Sequence, residues 1–494
     1  MRKPENKWRQ NFVISKHVSL LFNLYKPGFV VLILSCILFT SPGLLSQSVH
    51  IEGELMEYKG DTITFFTWAD PFTKTELEIG RSVVDSKGHF RLDIKAEKTL
   101  AVHVHTGVYK GEMLVEPGKK YKIMFPPKEE KTILEYLNPY FEELQFYIGL
   151  EDTSMLELNN QIRELEQFTN YFVTQNQNRI ASRKVAKHQV ERFLHVTDSI
   201  FPDTDNEYFN QYKFYKLAQI RFIAEYMNVD KAAGELFSNR TVLYNSKAYM
   251  ELFGQVFGNF VPFFVKSQGS TELIDWVERD QNYSQLKSSI EKQEYINQSS
   301  LSEMIIMKLL FDGFYADRFS AESVISLLDS LQTQTEHIEH KNIASILKKK
   351  VNHLLPGTMA PDFTLYNIDS SLISLSEFRG KYVYLNFCNN KSYTCQKDYE
   401  LLKSLKKKFS RHLEIVTVSS DKDFKSFIKQ MYNNECSWIF LHSGRIPEVL
   451  KTYRVRVYPS YYLIDPYGRI LMAPAVSPSE NFENEFHRVL NNRT

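Results

Sequence analysis

The spacing of the apolar residues changes twice along this sequence, so one uniform architecture cannot accommodate the chain. Apolar and polar residues alternate over 48–128, apolar residues recur every three or four positions over 129–353, and short segments of both kinds alternate over 354–494. Alternation is typical of half-buried strands, and the longer spacing is typical of helices. At about 150 residues per domain, the 494 residues also correspond to roughly three domains. We therefore predict a multidomain protein.

The first segment, residues 48–128, is predicted to be an antiparallel β-sandwich. In its clearest stretch Phe90, Leu92 and Ile94 alternate with charged residues, and turn-forming sequences separate it from similar stretches. Short strands at this spacing are typical of small sandwiches.

Two histidines of this segment, His103 and His105, fall on one face of a single predicted strand. This spacing suits metal ligands, but the sequence has no third ligand near them. We therefore expect a polar strand face, and we predict no metal site and no cofactor.

The middle segment, residues 129–353, is predicted to be all-α. Its apolar spacing is illustrated by Met155, Leu158, Ile162 and Leu165, which would share one helical face. No catalytic motif stands out there, so the aromatic and aliphatic stripes are interpreted as helical core.

The N-terminal residues 1–47 are interpreted as a signal peptide or an N-terminal anchor. A basic leader precedes the uncharged run Phe29–Phe39, which is shorter than the ~20 residues that span a bilayer. Lipidation of Cys36 is a third interpretation, which the bulky Leu34 disfavours. We expect the protein to be exported, either periplasmic or membrane-anchored in the cell envelope.

The overall charge bears on the kind of partner, and the number of cysteines bears on disulfide pairing. A net charge of +1 gives no electrostatic support for a nucleic-acid partner. If Cys36 leaves with the leader, Cys388, Cys395 and Cys436 remain in a compartment that permits disulfides. An odd number leaves at least one thiol free unless it pairs with another molecule.

Strands alternating with helices over 354–494 predict an α/β sheet. Within it Gly357–Leu365, Leu375–Phe387 and Tyr453–Ile470 resemble, in order, three segments of the thioredoxin superfamily, and in particular its exported TlpA-type and AhpC/TSA-like members. The three-part layout is similar to that of large exported proteins of Bacteroides-type bacteria. The resemblance implies a thioredoxin-like fold for the last segment.

The same resemblance implies where an active site would lie. The family's Trp-Cys-x-x-Cys motif places the nucleophilic cysteine at Ser392 and the resolving cysteine at Cys395. Asn386 falls where many thioredoxins keep a buried aspartate. Pro459 matches the family's cis-proline, and it and Tyr458 would contact a bound substrate.

Serine at position 392 excludes ordinary two-cysteine turnover by this motif. Disulfide exchange requires a thiolate that attacks a disulfide sulfur, whereas a serine at a helix start is a preferred N-cap. Cys395 is then either a shielded, inert thiol or an essential thiol partnered by Cys388 or Cys436. The sequence leaves these alternatives open.

A peroxiredoxin-like interpretation is weaker. Peroxiredoxins carry Pro-x-x-x-Thr-x-x-Cys, and Cys388, Ser392 and Cys395 occupy those spacings. The proline is missing, however, and the family's arginine has no equivalent unless Arg454 or Arg456 replaces it.

Two main hypotheses for function follow. The chain is a thiol–disulfide oxidoreductase-like protein with a degenerate Ser392-x-x-Cys395 site and at most monothiol or atypical redox activity. Alternatively, it is a redox-inactive module that binds a protein or peptide. Under both hypotheses the partner is a protein or peptide, which in the first carries a thiol or disulfide, and the N-terminal segment could associate with a membrane.

Overall fold

A computed structural model describes residues 47–491, apart from 133–134, 136–140, 153, 183, 226, 259–269, 294, 297, 422, 434, 445 and 447. The predicted signal or anchor therefore lies outside the described residues, except for its last residue, Gln47. Within the described part of the chain, no helix combines the length and the apolar character needed to cross a membrane.

The N-terminal region is β-rich and consists of two sheets around one shared core. Its strands are β1 (Gln47–Glu54), β2 (Thr62–Trp68), β3 (Glu76–Val83), β4 (His89–Ala96), β5 (Leu100–Thr106), β6 (Tyr109–Val115), β7 (Lys120–Met124), β8 (Leu144–Tyr147) and β9 (Gly149–Leu150). They form the sheets β4-β1-β7-β9 and β3-β2-β5-β6-β8. In β4 every second residue is buried, as its alternating sequence predicts. Buried residues of both sheets form a single apolar cluster.

Two features depart from the predicted antiparallel sandwich that ends at residue 128. β1 pairs with β7 and β6 pairs with β8 in parallel, so both sheets are mixed. β8 and β9 lie beyond residue 128 and extend these sheets. Parallel pairing requires a long connection. Five strands, β2 to β6, lie between β1 and β7 along the chain, and residues 116–143 separate β6 from β8. Such distant pairings leave no local pattern in the sequence.

The central region is helical. Its helices are α1 (Leu158–Ala181), α2 (Lys187–Ile200), α3 (Glu207–Glu225), α4 (Val229–Leu236), α5 (Lys247–Phe257), α6 (Ser270–Ile274), α7 (Tyr283–Glu291), α8 (Ser299–Tyr315), α9 (Ala321–Gln334) and α10 (Ile338–Val351), with a π-helical turn at Asp275–Arg279. Their inner faces form a large apolar core. Asn159 connects this region to the β-rich region, because its side-chain amide bonds both the N–H and the carbonyl of Leu114, at 2.6 and 3.0 Å.

The C-terminal region is an α/β domain with a mixed sheet in the order β11-β10-β14-β13-β12-β15-β16. Its strands are β10 (Thr364–Asn367), β11 (Leu372–Ser374), β12 (Tyr382–Cys388), β13 (Leu413–Ser419), β14 (Ile439–His442), β15 (Ser460–Ile464) and β16 (Ile470–Met472). The helices are α11 (Tyr393–Phe409), α12 (Phe424–Asn433), α13 (Glu448–Thr452) and α14 (Phe482–Asn491).

Strand β12 lies in the middle of this sheet and is buried along its whole length. Its alternate residues belong to different cores: Tyr384 and Cys388 pack towards α11, while Leu385 and Phe387 pack into the core on the other face. Cys388 is therefore fixed in position by the strand that carries it, at the end nearest to the start of α11.

Candidate active site

The site forms where β12 ends and α11 begins. Ser392 is the N-cap of α11, and its Oγ accepts a hydrogen bond from the backbone N–H of Cys395 at 3.4 Å. This is the capping role predicted from the sequence, since a serine oxygen satisfies an N–H that the helix itself cannot pair. The same hydroxyl donates to the backbone carbonyl of Tyr458 at 3.0 Å.

The two thiols predicted as possible partners, Cys388 and Cys395, lie side by side beneath this cap. Each is fully buried at 0% exposure. The Cys388 thiol is close enough to donate a hydrogen bond to the Cys395 sulfur. The six residues between Cys388, at the end of β12, and Cys395, in the first turn of α11, thus form a loop that brings the two sulfur atoms together.

The surroundings of these two thiols shift their pKa values in opposite directions. The hydrogen bond from Cys388 lowers the pKa of Cys395 despite its burial, and hydrogen-bonding contacts with the Ser392 side chain and the Asn389 backbone act in the same direction. Burial raises the pKa of Cys388 well above its ordinary value. Cys395 is therefore the thiol of the pair that ionises first, and Cys388 keeps its proton to higher pH.

A buried carboxyl group that the sequence analysis did not single out lies close to both thiols. Asp398 follows Cys395 by three residues on the inner face of α11 and is fully buried. Its Oδ2 accepts a hydrogen bond from the Tyr461 hydroxyl at 2.8 Å. Burial raises the pKa of Asp398, so this carboxyl group can exchange a proton nearer neutral pH than an ordinary aspartate. A charged residue on an otherwise apolar helix face was the signal that could have found it.

Replacing this carboxylate should change the thiol in a defined direction. In an Asp398→Asn variant we expect the pKa of Cys395 to fall, because a neighbouring negative charge raises it in the wild type. Asparagine can still accept the bond from Tyr461, so the fold should survive. Thiolate ultraviolet absorbance followed against pH measures the change, with Cys395→Ala as the blank; an unchanged or higher pKa would contradict it.

Tyr458 and Pro459 lie beside the cap, as the resemblance implies, and the peptide bond between them is cis. Next to them the surface is apolar: Tyr393 is 78% exposed and Val457 68% exposed. The thiols thus lie under a surface that carries exposed apolar side chains, while the sulfur atoms themselves do not reach it.

The other residues considered from the sequence lie elsewhere. Cys436 is buried, which raises the pKa of its thiol to about 11, and the charged groups acting on it are Lys403 and Glu400, two turns along α11 from Cys395. Asn386 lies on the same face of β12 as Cys388, and its side-chain amide donates to the Val416 carbonyl at 3.3 Å.

Arg454 does not serve the thiols. Its Nη2 donates to the Tyr315 hydroxyl and to the Lys350 carbonyl, each at 3.2 Å, and its guanidinium group stacks over the Tyr315 ring. The residue therefore faces the helical region. The peroxiredoxin-like interpretation thereby loses one of the two candidates for the arginine that it requires.

A central β-sheet flanked by helices, with a capped helix start after a buried strand and a cis-proline beside it, defines the thioredoxin-like class of protein. Residues 356–473 match the AhpC/TSA family. The C-terminal domain is thus a thioredoxin-like domain of TlpA type, as its motifs predicted.

The chain is similar to the thiol-disulfide oxidoreductase ResA of Bacillus thuringiensis subsp. konkukian (strain 97-27), with 30% identity over 119 residues, which are 23% of this chain and 66% of that relative. It is also 27% identical over 135 residues to the thioredoxin-like protein YneN of Bacillus subtilis (strain 168), covering 26% and 76% of the two chains. This chain therefore spans just under two thirds of the length of the Bacillus thuringiensis ResA.

Among solved structures, the chain is similar to a thiol:disulfide interchange protein from Bacteroides sp., with 25% identity, 28% of this chain and 92% of that chain covered, and a TM-score of 0.26. The chain is also similar to a thiol-disulfide oxidoreductase from Bacteroides fragilis NCTC 9343, with 24% identity and a TM-score of 0.24. The match covers 27% of this chain and 99% of that chain.

Proposed function

We propose that this chain is an exported thiol–disulfide oxidoreductase in which Cys388 and Cys395 form the redox couple. The observation that carries the proposal is the hydrogen-bonding contact between the two buried thiols. Ser392 occupies the position of the usual nucleophile, but here its hydroxyl group caps the helix by accepting from the N–H of Cys395 and donates to the Tyr458 carbonyl. The thiol missing from position 392 is thus replaced by one at the end of β12.

In the proposed reaction the Cys395 thiolate attacks a disulfide of a protein substrate. One substrate sulfur leaves as a thiolate and takes up a proton, and Cys395 is held in a mixed disulfide. Cys388 then gives its proton to the Asp398 carboxylate and attacks the Cys395 sulfur, which releases the second substrate thiol. The substrate disulfide is reduced by two electrons, and a Cys388–Cys395 disulfide is formed.

Reaction with a protein substrate requires a local opening of the site, because neither sulfur is exposed. The segment that would move is the Asn389–Ser392 loop together with the first turn of α11. Local openings of this kind occur in the least stable parts of a fold and cost free energy. We therefore expect thiol–disulfide exchange to be slow compared with that of an exposed thiol.

The relatives support a redox role, and the leader of this chain supports a position outside the cytoplasm. ResA is named a thiol-disulfide oxidoreductase, and the leader of this chain has the pattern of a secretory signal or anchor. Three cysteines beyond that leader would then experience a compartment in which disulfides persist.

Mapping of the thiols tests the proposal. Mild oxidation of the full-length chain with oxidised glutathione should join Cys388 to Cys395 in a bond that dithiothreitol reverses, as read by alkylation and mass spectrometry. Cys436→Ser is the matched control and should leave the bond unchanged. Cys388→Ala should instead leave glutathione attached to Cys395, because the resolving thiol is gone.

A second candidate function, binding of a protein or peptide without turnover, is favoured by one observation. Both thiols are fully buried, whereas Tyr393 and Val457 beside them are among the most exposed apolar side chains. The same mapping separates the two functions. Thiols that resist oxidation and alkylation until the protein is denatured would contradict the redox proposal and favour binding at this surface.

A further inference from the structure

A second cluster of reactive side chains lies in the β-rich region, away from the thiols. His103 and His105 are two residues apart on β5, and Glu76 is the first residue of β3. Strand β2 lies between β3 and β5 in the sheet. Glu76 reaches both histidine rings from there, so the fold supplies the third ligand that the sequence around the histidines lacks.

The three side chains converge on one point. Nε2 of His103 is 3.0 Å, and Nε2 of His105 is 2.9 Å, from the same Glu76 oxygen, Oε1. A tetrahedral zinc ion with ligands at about 2.0–2.1 Å holds its ligand atoms about 3.3 Å apart. An increase of a few tenths of an ångström in each of these two N–O distances would therefore allow an ion to replace the hydrogen bonds.

We propose that Glu76, His103 and His105 form a binding site for a divalent transition-metal ion. Two imidazole nitrogens and one carboxylate oxygen suit Zn²⁺, and also Co²⁺ as its probe. Three protein ligands leave one position of a tetrahedral ion open to water or another ligand.

The surroundings hold the ligands in place. Nδ1 of His105 lies 2.5 Å from Oε2 of Glu143, and the other oxygen of Glu143 accepts from Lys131 at 2.9 Å. A carboxylate on the far nitrogen of a histidine fixes its tautomer and its orientation, as occurs around most metal-bound histidines. The His103 ring stacks on Trp68 with 4.4 Å between ring centroids.

The site is closed on one side and open on the other. His103 is 2% exposed, whereas the side chains of His105 and Glu76 are 32% and 34% exposed. His103 and Trp68 also line a cavity of about 600 Å³ between the β-rich and helical regions. An ion can therefore enter from solvent.

A second cluster with the same residue types serves as a comparison. Glu303 lies near His337 and His340 in the helical region, but its two oxygens are already bound by Lys287, at 2.8 Å, and by Thr335, at 2.5 Å. This carboxylate is buried, and direct hydrogen bonds occupy both of its oxygens, so we interpret the cluster as a structural network.

Lys110 opposes metal binding and thereby offers a sharp test. Its Nζ is 3.6 Å from Oε1 of Glu76 and lies over the Trp68 ring. A divalent ion on Glu76 would repel this ammonium group. Removal of its charge should therefore strengthen binding, whereas removal of a ligand should weaken it.

The experiment is a titration of the chelator-treated full-length chain with Co²⁺ and then Zn²⁺, against a chromophoric competitor. We expect about one ion per chain, with the visible absorption of four-coordinate Co²⁺. Glu143→Gln should weaken binding by ~10–100-fold, Glu76→Gln and His103→Ala by at least as much, and Lys110→Gln should tighten it. His89→Ala, an exposed histidine of the same region, is the matched control and should change nothing.

Two results would overturn the proposal. One is equal affinity in the wild type and in Glu76→Gln. The other is unchanged or weaker binding in Lys110→Gln. The lysine variant removes no ligand and should fold normally, so it keeps the test decisive even where circular dichroism shows that a ligand variant has unfolded.

Discussion

A Ser392→Cys variant should convert a slowly exchanging site into a rapidly exchanging one. Ser392 lies at the start of α11 and is only half-buried, unlike Cys388 and Cys395. The N–H groups and the dipole of the helix start favour an anion there. A thiol whose pKa is lowered from 8.5 to about 7 carries roughly 15-fold more thiolate at pH 7. We therefore expect disulfide-reductase turnover, measured with insulin as substrate, to rise at least about tenfold.

The controls for this variant separate a new nucleophile from a disturbed helix. Ser392→Ala removes the cap without adding a thiol and should show no gain. Combining Ser392→Cys with Cys388→Ala should retain the gain, because the new thiol can be resolved by Cys395 alone. If the new thiol alkylates no faster in the native chain than a buried cysteine does, the start of α11 is closed to substrates and the expected gain is wrong.

The fold of the C-terminal domain could be predicted because its signals are local and ordered. The strand Tyr382–Cys388, the cap at Ser392 and the segment around Pro459 each carry their own sequence signature. The β-rich and helical regions were likewise evident from the apolar periodicity. Strand pairing between distant segments, such as β6 with β8, leaves no such signature and was missed.

The candidate site was only partly predictable for the same reason. Ser392 as a cap follows from a single position, whereas the contact of Cys388 with Cys395 depends on how a six-residue connection folds. The sequence allowed that contact without requiring it. Asp398 was missed although it lies on the apolar face of α11, because its importance depends on the burial of its neighbours.

The histidines of β5 show most clearly which contacts the sequence does not predict. The sequence shows His103 and His105 on one strand face, but it offers no third ligand close to them along the chain. Glu76 precedes His103 by 27 residues and meets it across β2. Contacts between strands that are not neighbours in the sequence cannot be obtained from the period of either strand alone.

Replacing Glu303 should cause the largest loss of stability in the helical region. Its carboxylate, on α8, is 1% exposed and joins three segments of the chain through Lys287, Thr335 and His340. Burial on its own raises the pKa of Glu303, but hydrogen bonds from these three partners outweigh it and lower the pKa to about 2. Removing one member of such a buried network typically costs about 3–5 kcal/mol.

The sign of the pH dependence follows from the lowered pKa of Glu303. The folded value of about 2 lies below the ordinary value of 4.5, so the stabilisation is complete above pH ~4.5 and is lost as the pH falls towards 2. A shift of this size corresponds to about 3 kcal/mol in the free energy of unfolding. Urea unfolding of the wild type is followed by circular dichroism at about pH 7, which is above this window, and at about pH 3, which is within it. The free energy of unfolding should be lower at the second pH.

Glu303→Gln distinguishes this network from a general effect of acid. The variant should unfold at a lower urea concentration at pH 7, and its midpoint should depend less on pH than that of the wild type, because the titrating group is gone. Glu336→Gln makes the same chemical change at an exposed position of this region and should behave like the wild type. Equal pH dependence in Glu303→Gln and the wild type would mean that other carboxyl groups cause the loss in acid. In that case the charge of Glu303 would not be what holds α7, α8 and α10 together.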